Sequence, residues 1–264
     1  MSIISLKKVK EDKVALLELN LPEKRNILSV EMIQTLTDTL NQLSKDSKIH
    51  LLVLSGAGGH FCAGGDLKWM RLPENSSDSE NISQIKNLSN LFNKLSSFPF
   101  PVIGNIKGSV FGGGLGLVAL CDIVVADKES RFCFSELKLA LIPSLIAPYV
   151  LQKMPQSKIR ELVFSARIFK AEEALQSGLL NFVGTDEECS DYIDQLTQQI
   201  LNYDRIALKQ CKKLLNTVPF LSQEERSDYC IRTLAERRKS PEVIKNINKF
   251  LKSRELKKQK SNTP

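Results

Sequence analysis

Histidine is nearly absent from this 264-residue chain, which contains only His50 and His60. This scarcity argues against a metal centre built from several histidines and against a catalytic histidine pair. The six cysteines are scattered, with no C-x-x-C pair and no nearby histidine that would complete a zinc site. We therefore expect no metal site, and reduced cysteines that pack as small hydrophobic residues.

Long hydrophobic runs are lacking as well. The nearest candidate, residues 141–151, is interrupted by Pro143, Ser144 and Pro148 and is shorter than the ~18 residues of a membrane-spanning helix. The first residues contain no apolar stretch of signal-peptide length, and no arginine precedes Arg25. These absences predict a cytoplasmic protein without a membrane segment.

Positive charge is in excess, and most of it lies near the C-terminus. The net charge is +7, and residues 237–260 hold ten basic residues against two acidic ones, which leaves the rest of the chain nearly neutral. This pattern is typical of a solvated helix with a basic tail, or of an anion site such as one for a nucleotide phosphate. Nucleic acid is a less favoured partner, because a single aromatic residue, Phe250, is interleaved with the basic ones.

The remaining composition is that of a globular protein, with 42% hydrophobic and 25% charged residues. Strand-like and helix-like segments alternate at first, and helices predominate after Ala140. We predict an α/β body over residues 1–200 and a helical C-terminal part over residues 201–264. The segments are strands near 14–21, 51–55, 101–106 and 123–126, helices near 30–43, 83–96, 171–178, 204–217 and 221–238, a helix starting at Ser240-Pro241, a capping box at Thr185 and Glu188, and a serine-rich surface loop or lid at 74–82.

Two glycine-rich loops stand about fifty residues apart, Gly64-Gly65-Asp66 and Gly112-Gly113-Gly114. Each follows a predicted strand and precedes a helix. Glycines there allow close backbone approach and leave N–H groups uncovered, and two converging N–H groups stabilise an enolate oxygen. Purely structural turns are the alternative. Residues 114–119 also fit a dinucleotide-binding pattern, but the helix after them is too short for that fold.

Glu136 is the most informative single residue, because its carboxylate is flanked by apolar neighbours. It is either an unfavourable core charge or an acid/base group with a raised pKa. By contrast, we expect Asp66 and Asp122 to cap helices or turns, and His60 to be an ordinary loop residue. Trp69 and Met70 are expected to form the wall of a pocket.

Several motifs together resemble the crotonase superfamily, the enoyl-CoA hydratase/isomerase family, over essentially the whole chain. They include residues 22–26 (PEKRN), 61–67 (FCAGGDL), 108–114 (GSVFGGG), 121–126 (CDIVVA), 134–136 (FSE) and 250–254 (FLKSR). The resemblance implies a crotonase-like spiral of ββα units with a helical C-terminal trimerisation region. It also implies a homotrimer, or a hexamer formed as a dimer of trimers.

The same resemblance implies an acyl-CoA thioester as substrate and no separate cofactor, because coenzyme A is part of that substrate. The backbone N–H groups of Gly65 and Gly113 would form the oxyanion hole beside Glu136. The other implied contacts to substrate or CoA are Lys24, Arg25, Ala63, Asp66, Leu67, Trp69, Phe250 and Lys252, the last two acting from a neighbouring subunit.

One departure from the family pattern concerns the reaction. Hydratases with two glutamates carry the first where this chain has Gly116, so that only the position of Glu136 is filled. Residues 66–70 and 135–149 look like bacterial hydratases of branched, carboxylated enoyl-CoAs, such as 3-methylglutaconyl-CoA in leucine breakdown and carboxygeranoyl-CoA. That branch also tends to have glycine at the first position.

The leading hypothesis is therefore a lyase that hydrates an α,β-unsaturated acyl-CoA with one glutamate. A Δ3-Δ2-enoyl-CoA isomerase is the main rival, because one carboxylate suffices to move a proton between two carbons. Other enolate chemistry, and a catalytically weak homologue that binds CoA or RNA, are the remaining alternatives.

Overall fold

The computed structural model describes residues 2–71, 73 and 76–261, with side chains as far as Lys252. The chain folds as two compact units, Met1–Tyr203 and Asp204–Pro264. No helix among the described residues is long and apolar enough to cross a membrane.

The first unit is a mixed α/β structure with a strand-rich first half. Its strands are β1 (Ile4–Val9), β2 (Val14–Leu19), β3 (Leu51–Gly56), β4 (Val102–Ile106), β5 (Ser109–Phe111), β6 (Ile123–Asp127), β7 (Arg131–Cys133), β8 (Phe169–Lys170) and β9 (Phe182–Gly184). Its helices are α1 (Val30–Lys45), α2 (Leu67–Met70), α3 (Asp78–Ser96), α4 (Gly113–Ala119), α5 (Ala147–Lys153), α6 (Gln156–Ser165), α7 (Ala171–Gln176) and α8 (Asp186–Leu201).

The strands form two sheets, and from β4 to β7 successive strands enter these sheets alternately. The larger sheet has the order β1-β2-β3-β4-β6-β9 and is parallel except for the β1–β2 pair, and the smaller has the order β5-β7-β8. Thus β4 enters the first sheet, β5 the second, and α4 follows; β6 and β7 then repeat this division. The expected strand–strand–helix recurrence is confirmed by this topology.

The core of this unit lies between the sheets and their helices and is largely apolar, with Asn26 and Ser130 among its few buried polar residues. α1 shows how the sequence builds it: Ser29 Oγ accepts the Met32 N–H at 3.2 Å, and the buried residues Ile33, Leu36 and Leu40 recur on one face of the helix. Four cysteines are buried as expected, whereas Cys211 is exposed and Cys230 half-buried, so packing as a core residue does not describe those two.

The prediction of a serine-rich surface loop or lid at 74–82 is wrong for residues 78–82. Asp78 to Ile82 form the first turns of α3, because Ser77 and Glu80 make a complete capping box. Glu74 and Asn75 lie outside the described residues. β1, the three-residue strands β5, β7 and β9 and the two-residue strand β8 were not predicted, whereas the capping box at Thr185 and Glu188 is confirmed.

The second unit is entirely helical in its described residues. It contains α9 (Arg205–Thr217), a short 3-10 turn (Val218–Phe220), α10 (Gln223–Arg238) and α11 (Pro241–Ser261). Asp204 Oδ1 accepts the Ala207 N–H at 2.9 Å and also pairs with Arg237, which ties the start of α9 to the end of α10. The side chains of Arg254, Lys257, Lys258 and Lys260, part of the basic C-terminal cluster, lie outside the described residues.

Candidate active site

A cavity of about 800 Å³ opens in the first unit, bounded by both glycine loops. Such a volume is within the range of small-molecule sites. Both α3 and the segment 135–146, which starts with Ser135 and Glu136, contribute to its walls. The residues lining it are Ile27, Ala63 to Met70, Asn81, Gln84, Ile85, Leu88, Phe92, Gly112, Gly113, Ser135, Glu136, Lys138, Leu139 and Leu141 to Ile146.

The first glycine loop is held in place by Leu28. The Gly64 carbonyl accepts the Leu28 N–H at 2.8 Å, and the Asp66 N–H donates to the Leu28 carbonyl at 3.3 Å. Successive N–H groups of an extended segment point to opposite sides, so the Gly65 N–H is directed away from Leu28. Gly64 has φ +98°, and a methyl group there would lie 2.9 Å from the Phe111 carbonyl oxygen. Only glycine fits this close approach between the two loops.

Asn26 fixes the turn that carries this arrangement, and sequence reasoning missed its role. It is fully buried, its Oδ1 accepts the Leu21 N–H at 2.8 Å, and its Nδ2 donates to the carbonyls of Ala57 and His60 at 2.9 and 2.7 Å. The residue has φ +55°, a left-handed conformation that asparagine tolerates. An asparagine ending a Pro-led turn was the available signal. His60 is indeed a loop residue, whose Nδ1 accepts the Ser109 N–H at 3.2 Å.

The second glycine loop presents the start of α4 to the cavity. Gly112 has φ +49°, and its N–H donates to the Cys133 carbonyl at 3.0 Å. Gly113 is the first residue of α4, so its N–H has no acceptor within the helix. Gly114 serves packing, because a methyl group on it would lie 2.6 Å from the Cys62 carbonyl oxygen.

Glu136 lies at the start of a 3-10 turn (Glu136–Leu139) and lines the cavity. Its Oε2 is buried and, within the part of the chain that the structure describes, accepts no hydrogen bond. Burial raises the pKa of its carboxyl group, and a hydrogen bond from its own backbone N–H opposes this only in part. A carboxyl group that has a raised pKa and an unpaired oxygen is suited to proton transfer rather than to a structural role.

The position of Gly116 is closed to a second acidic side chain. Gly116 is buried in α4, and a methyl group on it would lie 2.6 Å from Ile146 Cγ2 and 3.0 Å from Phe92 Cζ. Because both neighbours are apolar core residues, a glutamate there would have to displace them and bury its charge. The packing around Gly116 therefore leaves no room for a second glutamate beside Glu136.

Charged and amide side chains also line the cavity, in addition to Glu136. Asp66 caps α2, as expected, with its Oδ1 accepting the Lys68 N–H at 2.9 Å. Lys68 and Lys138 are the two cationic residues among the described lining residues, and Lys138 Nζ lies 3.7 Å from Cys133 Sγ. The polar residues Asn81 and Gln84, on the α3 wall, were not foreseen from the sequence.

The structure brings together only part of the predicted site set. Gly65, Gly113, Glu136, Ala63, Asp66, Leu67 and Trp69 line this one cavity, as does Met70. Lys24 and Arg25 are exposed and are not among its lining residues, although the Arg25 carbonyl accepts the Ala63 N–H at 3.0 Å. Phe250 and Lys252 are exposed residues of α11 in the second unit. No cluster of metal-ligating side chains occurs among the residues that the structure describes.

Comparisons with known proteins all indicate one family. A family model described as enoyl-CoA hydratase/isomerase matches residues 9–259. The chain is 31% identical over 211 residues to the enoyl-CoA hydratase ACTT6 of Alternaria alternata, covering 80% of this chain and 68% of that protein. It is 30% identical over 254 residues to the mitochondrial Delta(3,5)-Delta(2,4)-dienoyl-CoA isomerase of Mus musculus, covering 91% and 77%.

A solved structure shows the same fold. The crystal structure of an enoyl-CoA hydratase from Shewanella pealeana aligns with a TM-score of 0.89 at 28% sequence identity, covering 96% of this chain and 94% of that one. The α/β spiral and the helical C-terminal region are thus common to both chains.

Proposed function

The chain belongs to the enoyl-CoA hydratase/isomerase family, and from this premise we propose that it is a hydro-lyase that adds water to an α,β-unsaturated acyl-CoA. One observation carries the proposal: Glu136, whose carboxylate has a buried and unpaired oxygen, lines the cavity that both glycine loops bound. A proton-transfer group and uncovered backbone N–H groups are the two elements that enolate chemistry requires.

The N–H groups of Gly65 and Gly113 form the proposed oxyanion hole. Support comes from the bridge between Leu28 and Gly65, which directs the Gly65 N–H away from Leu28, and from the place of Gly113 at the start of α4. Removing one donor of such a pair typically costs about 2.7–4 kcal/mol of transition-state stabilisation.

The proposed reaction uses Glu136 twice. The oxygen of water bonds to C3 of the substrate, the electrons of the C2=C3 double bond move to the thioester oxygen, and Glu136 takes one proton from the water. The enolate then collapses as C2 takes that proton from Glu136. Atoms and charge balance with one carboxylate, and the step needs neither a metal nor a redox cofactor, since coenzyme A belongs to the substrate.

Coenzyme A is proposed to extend from this cavity towards basic residues. Ala63 lines the cavity wall proposed for the adenine. Lys24 and Arg25 lie in the turn that is hydrogen-bonded to Ala63 through the Arg25 carbonyl, and they would contact phosphates. Phe250 and Lys252 are proposed to close over CoA from a neighbouring subunit of a trimer or a dimer of trimers. The many exposed apolar side chains of the second unit support assembly into such an oligomer. They are Ile206, Leu215, Phe220, Ile231, Leu234, Ile244, Ile247, Phe250 and Leu251.

3-Methylglutaconyl-CoA is the specific substrate we propose, on the sequence motifs at 66–70 and 135–149. Lys68 and Lys138 support it, because a carboxylate on the acyl group requires a cationic or hydrogen-bonding partner. The cytoplasmic location remains a prediction from the sequence.

Isomerisation of a 3-enoyl-CoA is the second candidate, and the packing around Gly116 favours it. With Phe92 and Ile146 filling that position, one carboxylate must do all proton transfer, and moving a proton from C2 to C4 needs no activated water. The identity to the mouse dienoyl-CoA isomerase is consistent with this candidate.

The deciding experiment follows the loss of enoyl-thioester absorbance with 3-methylglutaconyl-CoA and crotonyl-CoA. Wild type, Glu136→Gln and the matched surface variant Glu172→Gln are compared; Glu172 is exposed on α7. We expect turnover in wild type and Glu172→Gln, a loss of at least about a hundredfold in Glu136→Gln, and a preference for the carboxylated substrate.

Other outcomes reject the proposal in distinguishable ways. Faster crotonyl-CoA turnover removes the carboxylated substrate but keeps hydration. No hydration, together with conversion of a 3-enoyl-CoA to the 2-enoyl product, establishes the isomerase instead. Binding of CoA or RNA without any turnover indicates the catalytically weak homologue.

A further inference from the structure

Ser135 lies directly before Glu136 and shares its part of the cavity. A methyl group placed on Gly112 would lie 3.3 Å from Ser135 Oγ and 3.5 Å from Glu136 Oε1. Both oxygens therefore face the same space beside the glycine Cα. Gly112 itself has φ +49° and ψ −119°, a conformation that only glycine adopts readily, so the fold keeps this space clear of a side chain.

The Ser135 hydroxyl is not committed to a structural role. It lies at the N-cap position of the 3-10 turn, yet its side chain caps no N–H there, and none of the side-chain hydrogen bonds found in the described part of the chain uses it. Its backbone carbonyl, by contrast, accepts the Lys138 N–H at 3.1 Å and so fixes where the side chain starts. A hydroxyl that both donates and accepts thus stands free beside a buried carboxylate.

The missing first glutamate gives this pair a chemical consequence. Adding water to C3 requires the water to be held in one orientation, and one carboxylate oxygen fixes only one of its two protons. Phe92 and Ile146, at the Gly116 position, offer no hydrogen bond. A second acceptor for the water has to come from elsewhere in the cavity.

We propose that Ser135 positions the attacking water for Glu136, in place of the first glutamate of two-glutamate hydratases. Ser135 Oγ accepts one water proton, Glu136 Oε1 accepts and removes the other, and the lone pair of the water points to C3. The balance of the reaction is unchanged: the water oxygen bonds to C3, and Glu136 passes the proton to C2. Ser135 neither gains nor loses a proton overall. This inference rests on the proposed hydratase function.

The test separates water positioning from proton transfer. Hydration of 3-methylglutaconyl-CoA and crotonyl-CoA is measured for wild type, Ser135→Ala, Ser135→Thr and the surface control Ser157→Ala, whose residue is exposed on α6. In parallel, exchange of the C2 protons of butyryl-CoA into D₂O is followed by mass spectrometry. That exchange requires Glu136 and the oxyanion hole but no water at C3.

We expect Ser135→Ala to lower kcat for hydration about tenfold or more, as for loss of one hydrogen bond to a group that becomes charged. Proton exchange should stay within about twofold of wild type, and Ser135→Thr should recover most of the hydration. A Ser135→Ala enzyme that hydrates at the wild-type rate overturns the proposal.

Equal loss of hydration and exchange also overturns it, because Ser135 then only shapes the surroundings of Glu136. If the wild-type enzyme hydrates neither substrate, the proposed hydratase function fails, and the water-positioning role falls with it. Exchange in the wild type then still reports whether Glu136 acts on C2.

Discussion

Replacing Asn26 by alanine should strongly destabilise the first unit. The substitution removes three hydrogen bonds of 2.7 to 2.9 Å from a fully buried side chain. One N–H, of Leu21, and two carbonyls, of Ala57 and His60, then lose their partner in partly buried positions. A buried polar group left unsatisfied costs about 1–3 kcal/mol. Alanine also resists the left-handed conformation at φ +55°, at about 1–2 kcal/mol.

Partial relaxation offsets some of this, and we expect the free energy of unfolding to fall by about 3–5 kcal/mol, a large share of the typical total of about 5–15 kcal/mol. Urea unfolding followed by circular dichroism and by the fluorescence of the only tryptophan, Trp69, measures the change. Asn20→Ala is the matched control, since Asn20 makes one solvent-exposed bond of 2.9 Å to Ser2; it should cost about 0.5 kcal/mol or less. If the two variants lose equal stability, the buried network does not hold the turn as described.

Three further predictions concern the α4 helix and the carboxylate. Gly116→Ala should lower the free energy of unfolding by about 1–2 kcal/mol, because overpacking against Ile146 outweighs the ~1 kcal/mol gain in helix propensity; a more stable variant in thermal unfolding contradicts the packing. The hydration rate should fall as pH drops through a pKa of Glu136 that is higher than an exposed glutamate has, and a stopped-flow pH profile without that acid limb contradicts its role as base. The raised pKa of Glu136 means that the folded state binds its proton more tightly than the unfolded state does, so the ionised carboxylate opposes folding at neutral pH. Glu136→Gln should therefore be more stable than wild type at pH 7, and the difference in stability should narrow towards pH 4.5. Urea unfolding at both pH values measures this difference.

The sequence predicts best where one strong local signal sets the structure. The apolar spacing of α1 and the capping box at Thr185 and Glu188 are confirmed for that reason. The same type of box at Ser77 and Glu80 was overlooked, because the serine-rich composition around it favours a loop while the cap favours a helix. Composition is the weaker signal when a specific cap is present.

Features that depend on partners distant in the chain were not predicted. β5 and β7 have three residues each, too few to show an alternating pattern. They form because they pair with each other, and β7 also pairs with β8. β1 lies at an edge and has mostly exposed side chains, which hides its periodicity. The sequence places Glu136 and the glycines in one site through family motifs, but the filling of the Gly116 position by Phe92 and Ile146 depends on three-dimensional packing.

The strand order of the larger sheet means that the segment containing the candidate site cannot be separated from the rest of the first unit as a stable fragment. The parts of the candidate site span Asn26 to Ile146, and that segment contains β3 to β7 but lacks β2 and β9. Those two strands are the outer neighbours of β3 and β6 in the larger sheet, so the fragment would expose two unpaired edges built for hydrogen bonding. Self-association of the fragment is the expected result. A fragment is therefore expected to be active only if it retains the complete larger sheet.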